Sequence, residues 1–211
     1  MIFFNIIIFF FLFNSVNADE IISDEEYYDK GVSLYDNGDF DESFIIFFNL
    51  GEKGHKDSIF NLSNMYYEGV GTIQNFKLSL KYCWLCVLNG NKRCLKKVDQ
   101  IKSKLSENAI EEIANEIPPI LEKNFIEFSN SKSAFKLGFW FENFSPEIDY
   151  EQSYLWYSVS VSGGIYKAMK LRDRVGEDIE TDKIVELQTK AEEILTKNKY
   201  FNEGKQTEGD I

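Results

Sequence analysis

Histidine, cysteine and proline are scarce in this sequence of 211 residues, with one, three and three copies respectively. A single imidazole, His55, excludes every catalytic triad or metal site that needs a second one, and three cysteines are too few for a disulfide-rich scaffold. Three prolines and 13 glycines exclude a collagen-like or proline-rich chain. Basic side chains are also in the minority, 23 against 35 acidic ones, giving a formal charge of −12. That balance argues against sequence-independent nucleic-acid binding, which requires lysine and arginine to displace phosphate counterions. What is present is ample apolar material, 44% of the residues, so a packed core is expected rather than disorder.

Residues 1–18 contain no charged side chain, and from Ile2 to Phe13 only Asn5 is polar. As a helix this run of 12 residues spans roughly 18 Å, short of the bilayer core of about 30 Å. Val16 and Ala18 provide the small residues of a cleavage site before Asp19. The segment reads as a secretory signal peptide, so the chain is expected to be exported, periplasmic or secreted, meeting a membrane only through export. The competing reading is an uncleaved anchor.

Repetition organises the rest. Ser79, Tyr82, Cys83, Gly90 and Cys94 fall on Ser153, Trp156, Tyr157, Gly164 and Ala168 at an offset of 74. Ser43, Phe47, Gly54 and Ser58 precede Ser79, Cys83, Gly90 and Cys94 by 36. A period of this length holds two helices and two turns, the unit of an α-solenoid. Within a unit, Ser58, Leu62, Ser63 and Tyr66 share one helical face, small residues admitting a neighbouring helix and large ones filling the space beside it. Gly69 and Gly71 are placed for turns. Leu105-Ser106-Glu107 and Ile179-Glu180-Thr181-Asp182 offer helix starts, and Pro118-Pro119 predict a helix break.

The string Ser58-x3-Leu62-Ser63-x2-Tyr66-x2-Gly69-x-Gly71, followed by Ser79-x2-Tyr82-Cys83-x2-Cys86-Val87-x2-Gly90-x3-Cys94, resembles the Sel-one-like repeat, a relative of the tetratricopeptide repeat. A later copy runs Leu137-Gly138-x2-Phe141, then Ser153-Tyr154-x-Trp156-Tyr157 and Gly164-x3-Ala168. An earlier one, Gly31 to Ser58, is more tetratricopeptide-like. The resemblance implies an all-α, right-handed solenoid. Its expected parts are a signal peptide 1–18, a first repeat module 19–117, a helix and linker 118–130, a second module 131–200 and a disordered tail 201–211. Departures are serine or cysteine in place of several alanines, and Phe144-Ser145-Pro146 in place of a Gly-x-Gly turn. Cysteine-rich bacterial members of the family link adjacent helices at such spacing, which implies a Cys86–Cys94 disulfide with Cys83 free. Without that resemblance the three cysteines read as small apolar core residues.

No set of residues assembles a catalytic centre. His55 stands between Gly54 and Lys56 in an expected inter-helix turn, as a solvated imidazole. Gly69-Val70-Gly71 lacks the lysine of a phosphate loop. Cys83 and Cys86 form a CxxC inside a helix rather than at a helix start, and zinc would need further ligands. No catalytic residue, metal or cofactor is therefore expected. The alternative reading, a cell-envelope hydrolase acting on β-lactams or cell wall, lacks an SxxK followed by KTG. A passive structural subunit of an envelope complex is a further alternative.

The leading expectation is a non-enzymatic scaffold or adaptor that binds other proteins through the concave face of its repeats. Phe60, Asn64 and Tyr67 lie off the core stripe of one first helix, and Phe135, Phe139 and Glu142 lie off that of another. Phe60 and Phe135 share a repeat position; the other reading of both is packing against an adjacent helix. Charge is divided: residues 19–52 carry −10 and residues 77–105 carry +7. These regions read either as solvated faces or as acidic and basic surfaces for self-association or docking. Intact-mass measurement on the protein from its native host is expected to show loss of residues 1–18; retention of Met1 to Ala18 in a membrane fraction would establish the anchor instead.

Overall fold

A computed structural model describes residues 22–208. The expected signal peptide and residues 209–211 lie outside the described residues. Among the described residues there are ten α-helices and no strand. They are α1 (Asp24–Asn37), α2 (Phe40–Glu52), α3 (Lys56–Glu68), α4 (Phe76–Leu88), α5 (Lys92–Lys102), α6 (Glu107–Phe128), α7 (Ser131–Asn143), α8 (Tyr150–Ser162), α9 (Ala168–Gly176) and α10 (Thr181–Glu208). Local chemistry sets many of the ends. Ser23 and Glu26 form a capping box at α1, Ser106 accepts from the Ala109 N–H at α6, and Gly69 and Gly71 take φ of 72° and 66° after α3.

Three helix hairpins, α1/α2, α3/α4 and α7/α8, form the body, with α2 also packed on α3. α5 packs on α4 and against α3, and α9 packs on α8. α6 packs on both α4 and α7, and α10 on α8 and α6, so the two halves are joined along a helical seam. At that seam Trp84 meets Trp140 edge-on at 5.1 Å, and Lys136 Nζ donates to Asn89 Oδ1 at 2.8 Å. Burial, with Lys132 close by, lowers the Lys136 ammonium pKa.

Each hairpin closes on the same contact. Ser43 Oγ donates to the Gly31 carbonyl at 2.7 Å, Ser79 Oγ to the Ser63 carbonyl at 2.8 Å and Ser153 Oγ to the Gly138 carbonyl at 2.9 Å. All three serines are fully buried. The first-helix residue under each is small because the helices touch there: a Cβ on Gly138 would stand 2.5 Å from the Tyr157 ring.

Two expectations about helix ends are corrected. Pro118-Pro119 do not break the helix, since α6 runs through both without interruption; the helix and linker expected over 118–130 are the end of α6, which closes at Phe128, and the short link that follows it. Proline costs about 3 kcal/mol inside a helix. Here Ile113, Ile117, Leu121 and Phe125 are all buried on one face, and burying each such side chain contributes about 1.5–3 kcal/mol. Packing therefore outweighs the two missing N–H donors. At the other end, α10 continues through Glu208, past residue 201 where a tail was expected.

Removing a hairpin hydroxyl leaves two helices in contact without their cross-link. Ser153→Ala is expected to destabilise the chain by about 1–2 kcal/mol, and Gly138→Ala by about 1–3 kcal/mol through overpacking against Tyr157. Denaturation midpoints followed by circular dichroism measure both, and unchanged midpoints would show that the contact is not stabilising.

Candidate protein-interaction surface

Phe60, Asn64 and Tyr67 are one turn apart along α3, on the face that does not enter the hairpin contact. α5 lies across them. The Arg93 guanidinium sits 4.2 Å above the centre of the Phe60 ring and also pairs with Asp57. The Lys97 ammonium is 5.7 Å from the Phe60 ring and 5.8 Å from the Tyr67 ring, and it donates to Asn64 Oδ1. Gln100 Nε2 donates to the Tyr67 hydroxyl at 3.2 Å.

The second half repeats the arrangement with different side chains. Lys167, just before α9, places its ammonium 4.2 Å above the Phe135 ring. Glu142 receives the Tyr157 hydroxyl at 2.7 Å on one oxygen and the Arg174 guanidinium on the other. Burial, and then this carboxylate, raise the Tyr157 pKa and keep its phenol a donor. Phe139 packs its ring 5.8 Å from Phe144. Arg93 and Lys167 are 74 residues apart, as are Gln100 and Arg174. The six residues singled out from the sequence thus form two equivalent ledges, each half-buried, and all but Phe139 take a side chain from the segment that follows their hairpin.

The sequence gives no local sign of this cover, because the covering residues lie 30 to 37 positions downstream. The offset of 74 was the available signal. Contacts within the fold account for much of the basic excess in residues 77–105: on α4, Lys77 pairs with Glu112 of α6 at 2.5 Å and Lys81 with Glu116 at 2.7 Å, while Arg93 and Lys97 of the cover are held against α3. Lys92 and Lys96 remain exposed. His55 departs from the solvated role expected of it. It is the N-cap of α3, with Nδ1 accepting from the Ser58 N–H at 3.3 Å and Nε2 at 3.1 Å from Glu25, and its ring packs 4.9 Å from Tyr28.

Cys86 and Cys94 are disulfide-bonded, with Cα atoms 6.1 Å apart, fixing the start of α5 to α4 and so seating the cover over Phe60. Cys83 is free and fully buried, its Sγ donating to the Cys94 carbonyl at 3.2 Å, and burial pushes the thiol up to about 11. A cleft of about 380 Å³ opens between α8, α9 and α10, lined by Tyr154, Ser158, Arg172, Gln188 and Leu195 among others. Among the described residues no group of three or more histidine, cysteine, aspartate or glutamate side chains is placed to hold a metal ion, and no helix is long and apolar enough to cross a membrane. No protein-family model matches the chain, and no curated protein shows significant similarity to it.

A thiol whose pKa is raised to about 11 is protonated at pH 8, and thiolate is the reactive form. In the oxidised, folded protein, no cysteine is expected to alkylate at pH 8, and one, Cys83, after unfolding without reductant. Replacing Cys86 and Cys94 by alanine is expected to cost about 2–3 kcal/mol. Peptide mapping and denaturation measure these outcomes, and three reactive thiols would refute the bond.

Proposed function

We propose that this chain is an exported, non-enzymatic scaffold of the Sel-one-like type, a right-handed α-solenoid that binds other proteins along its first-helix side. The observation that carries the reading is the recurrence of a cation fixed over an aromatic ring at Arg93/Phe60 and Lys167/Phe135. An arginine held by a ring on one side and by Asp57 on another loses little conformational freedom when its remaining donors meet a partner. Arginine and aromatic side chains are also the residue types that most often dominate protein interfaces. Leu95, Tyr166 and Met169 are exposed on the same covering segments and supply apolar contact beside the cations. The small first-helix residues and the period of 36 support the family reading, and the uncharged residues 1–18 support export.

Capture of partners from the envelope fraction of the native host tests this. Arg93→Ala with Lys167→Ala, and separately Phe60→Ser with Phe135→Ser, are expected to weaken capture tenfold or more while the helical spectrum is unchanged, about 1.4 kcal/mol or more by the affinity relation. Undiminished capture by both folded double variants would place the contact elsewhere and overturn the reading. Turnover of a β-lactam or of cell-wall fragments by the purified chain would overturn its non-enzymatic part.

A further inference from the structure

The three hairpins differ in what covers their second helices. In α4, the stripe Lys77, Leu80, Lys81, Trp84 is covered: Leu80 and Trp84 are buried, and α6 supplies Glu112 and Glu116 to the two lysines. In α8 the equivalent stripe, 74 residues on, is Glu151, Tyr154, Leu155, Ser158. It is covered by α10, whose Lys183 pairs with Glu151 at 3.4 Å and whose Gln188 donates to the Tyr154 hydroxyl at 3.3 Å. Acid meets base in both places, with the sign exchanged.

The same stripe in α2, 36 residues before that of α4, is Asp41, Phe44, Ile45, Phe48. Among the described residues, no helix covers it: Ile45 is 56% exposed and Phe48 38%. Phe44 leans on Tyr66 edge-on at 5.3 Å and stacks at 6.2 Å on Phe48, so the apolar surface is continuous with the core. Asp41, Ile45, Phe48 and Glu52 follow i, i+4, i+7, i+11 spacing and share one face of the helix. No cation among the described residues meets Asp41 or Glu42, and residues 19–52 carry −10.

We infer that the outer face of α2 receives a basic amphipathic helix from a partner protein, seated as α10 is seated on α8, with a lysine or arginine of that helix on Asp41. The apolar side of the incoming helix covers Phe44, Ile45 and Phe48, and its flanking cations meet Asp41, Glu42 and Glu52. This deepens the scaffold reading by giving one partner's chemistry, on a face separate from the first-helix ledges.

The probe is a fluorescent peptide of residues 181–199, the α10 segment bearing Lys183, Leu187 and Ala191, with Glu186, Glu192 and Glu193 replaced by lysine. Anisotropy titration with the full chain is expected to show binding at least tenfold tighter than that of a scrambled peptide of the same composition, and also tighter than that of the unsubstituted segment. Ile45→Ser with Phe48→Ser, both exposed and therefore compatible with folding, is expected to weaken binding tenfold or more at unchanged helicity. Asp41→Lys with Glu52→Lys should shift the preference toward the unsubstituted peptide. Equal binding of the scrambled peptide, or indifference to the Ile45/Phe48 substitutions, would overturn the inference. So would a dimer, seen by sedimentation, that those substitutions dissociate, since it would assign the face to a second copy. If this binding fails while Arg93- and Lys167-dependent capture persists, the α2 inference falls alone; if capture fails as well, the scaffold reading falls with it.

Discussion

The hydrogen bond from a buried second-helix serine to a first-helix carbonyl sets the distance between the helices in every hairpin, and the side chains around it are sized to that distance. A carbonyl already bonded within its helix has a second lone pair, so the serine satisfies its hydroxyl without disturbing the helical ladder. Close approach then leaves little room next to the bond. Where the first helix has glycine, the residue one turn after the serine is aromatic: Gly31 faces Phe47 and Gly138 faces Tyr157. Where it has Ser63, that residue is Cys83. The free cysteine is thus a volume match to a serine β-carbon, and its raised pKa is a consequence of that packing.

Fixing the hairpins in this way exposes a second face on each first helix, and the following segment covers it differently in each half. Over α3 the cover is seated by a disulfide and carries Arg93 and Lys97. Over α7 there is no disulfide: Ala168 occupies the position of Cys94 and is fully buried. Burial of the alanine holds the start of α9 where a covalent bond holds that of α5. Both covers place their cation 4.2 Å from an aromatic ring. A cation–aromatic contact contributes about 0.5–1 kcal/mol at an exposed site, so the covers are held mainly by their apolar sides, Val98 and Ile101 in one and Val175 in the other.

The hairpins were legible because their determinants are local and repeated: small residues at fixed spacing, turn glycines, and capping serines such as Ser106. The route of α6 was not. A proline pair is a strong local signal against helix, and the opposing signal, burial of Ile113, Ile117, Leu121 and Phe125, depends on helices packed on α6 from both halves of the chain. His55 misled for the same reason, since its cap on Ser58 is local but its burial beside Tyr28 and Glu25 comes from a segment about 30 residues earlier. At the ledges, the residues chosen from the sequence do share one helix face and matching repeat positions, and the segments after their hairpins lie over them. It could not separate an open surface from one covered by a helix whose basic residues looked solvent-facing.

The amino-terminal hairpin completes the logic of the stack. In a stack of helical repeats, an outer surface that no neighbouring helix covers is normally polar. The α2 face follows that rule only in part. Asp41, Glu42 and Glu52 supply charge, yet Ile45 and Phe48 occupy the positions that Lys81 and Trp84 hold in α4 under the cover of α6. Like charge discourages copies of this face from pairing with each other, while the aromatic stripe retains surface that water solvates poorly. The two features act on different parts of a binding reaction. The acidic field, reaching about 8–10 Å at physiological salt, raises the encounter rate of basic helices; the stripe determines how long they stay, because only an incoming apolar side removes Ile45 and Phe48 from water. Selectivity at this end of the molecule therefore requires both charge and amphipathicity in the same helix.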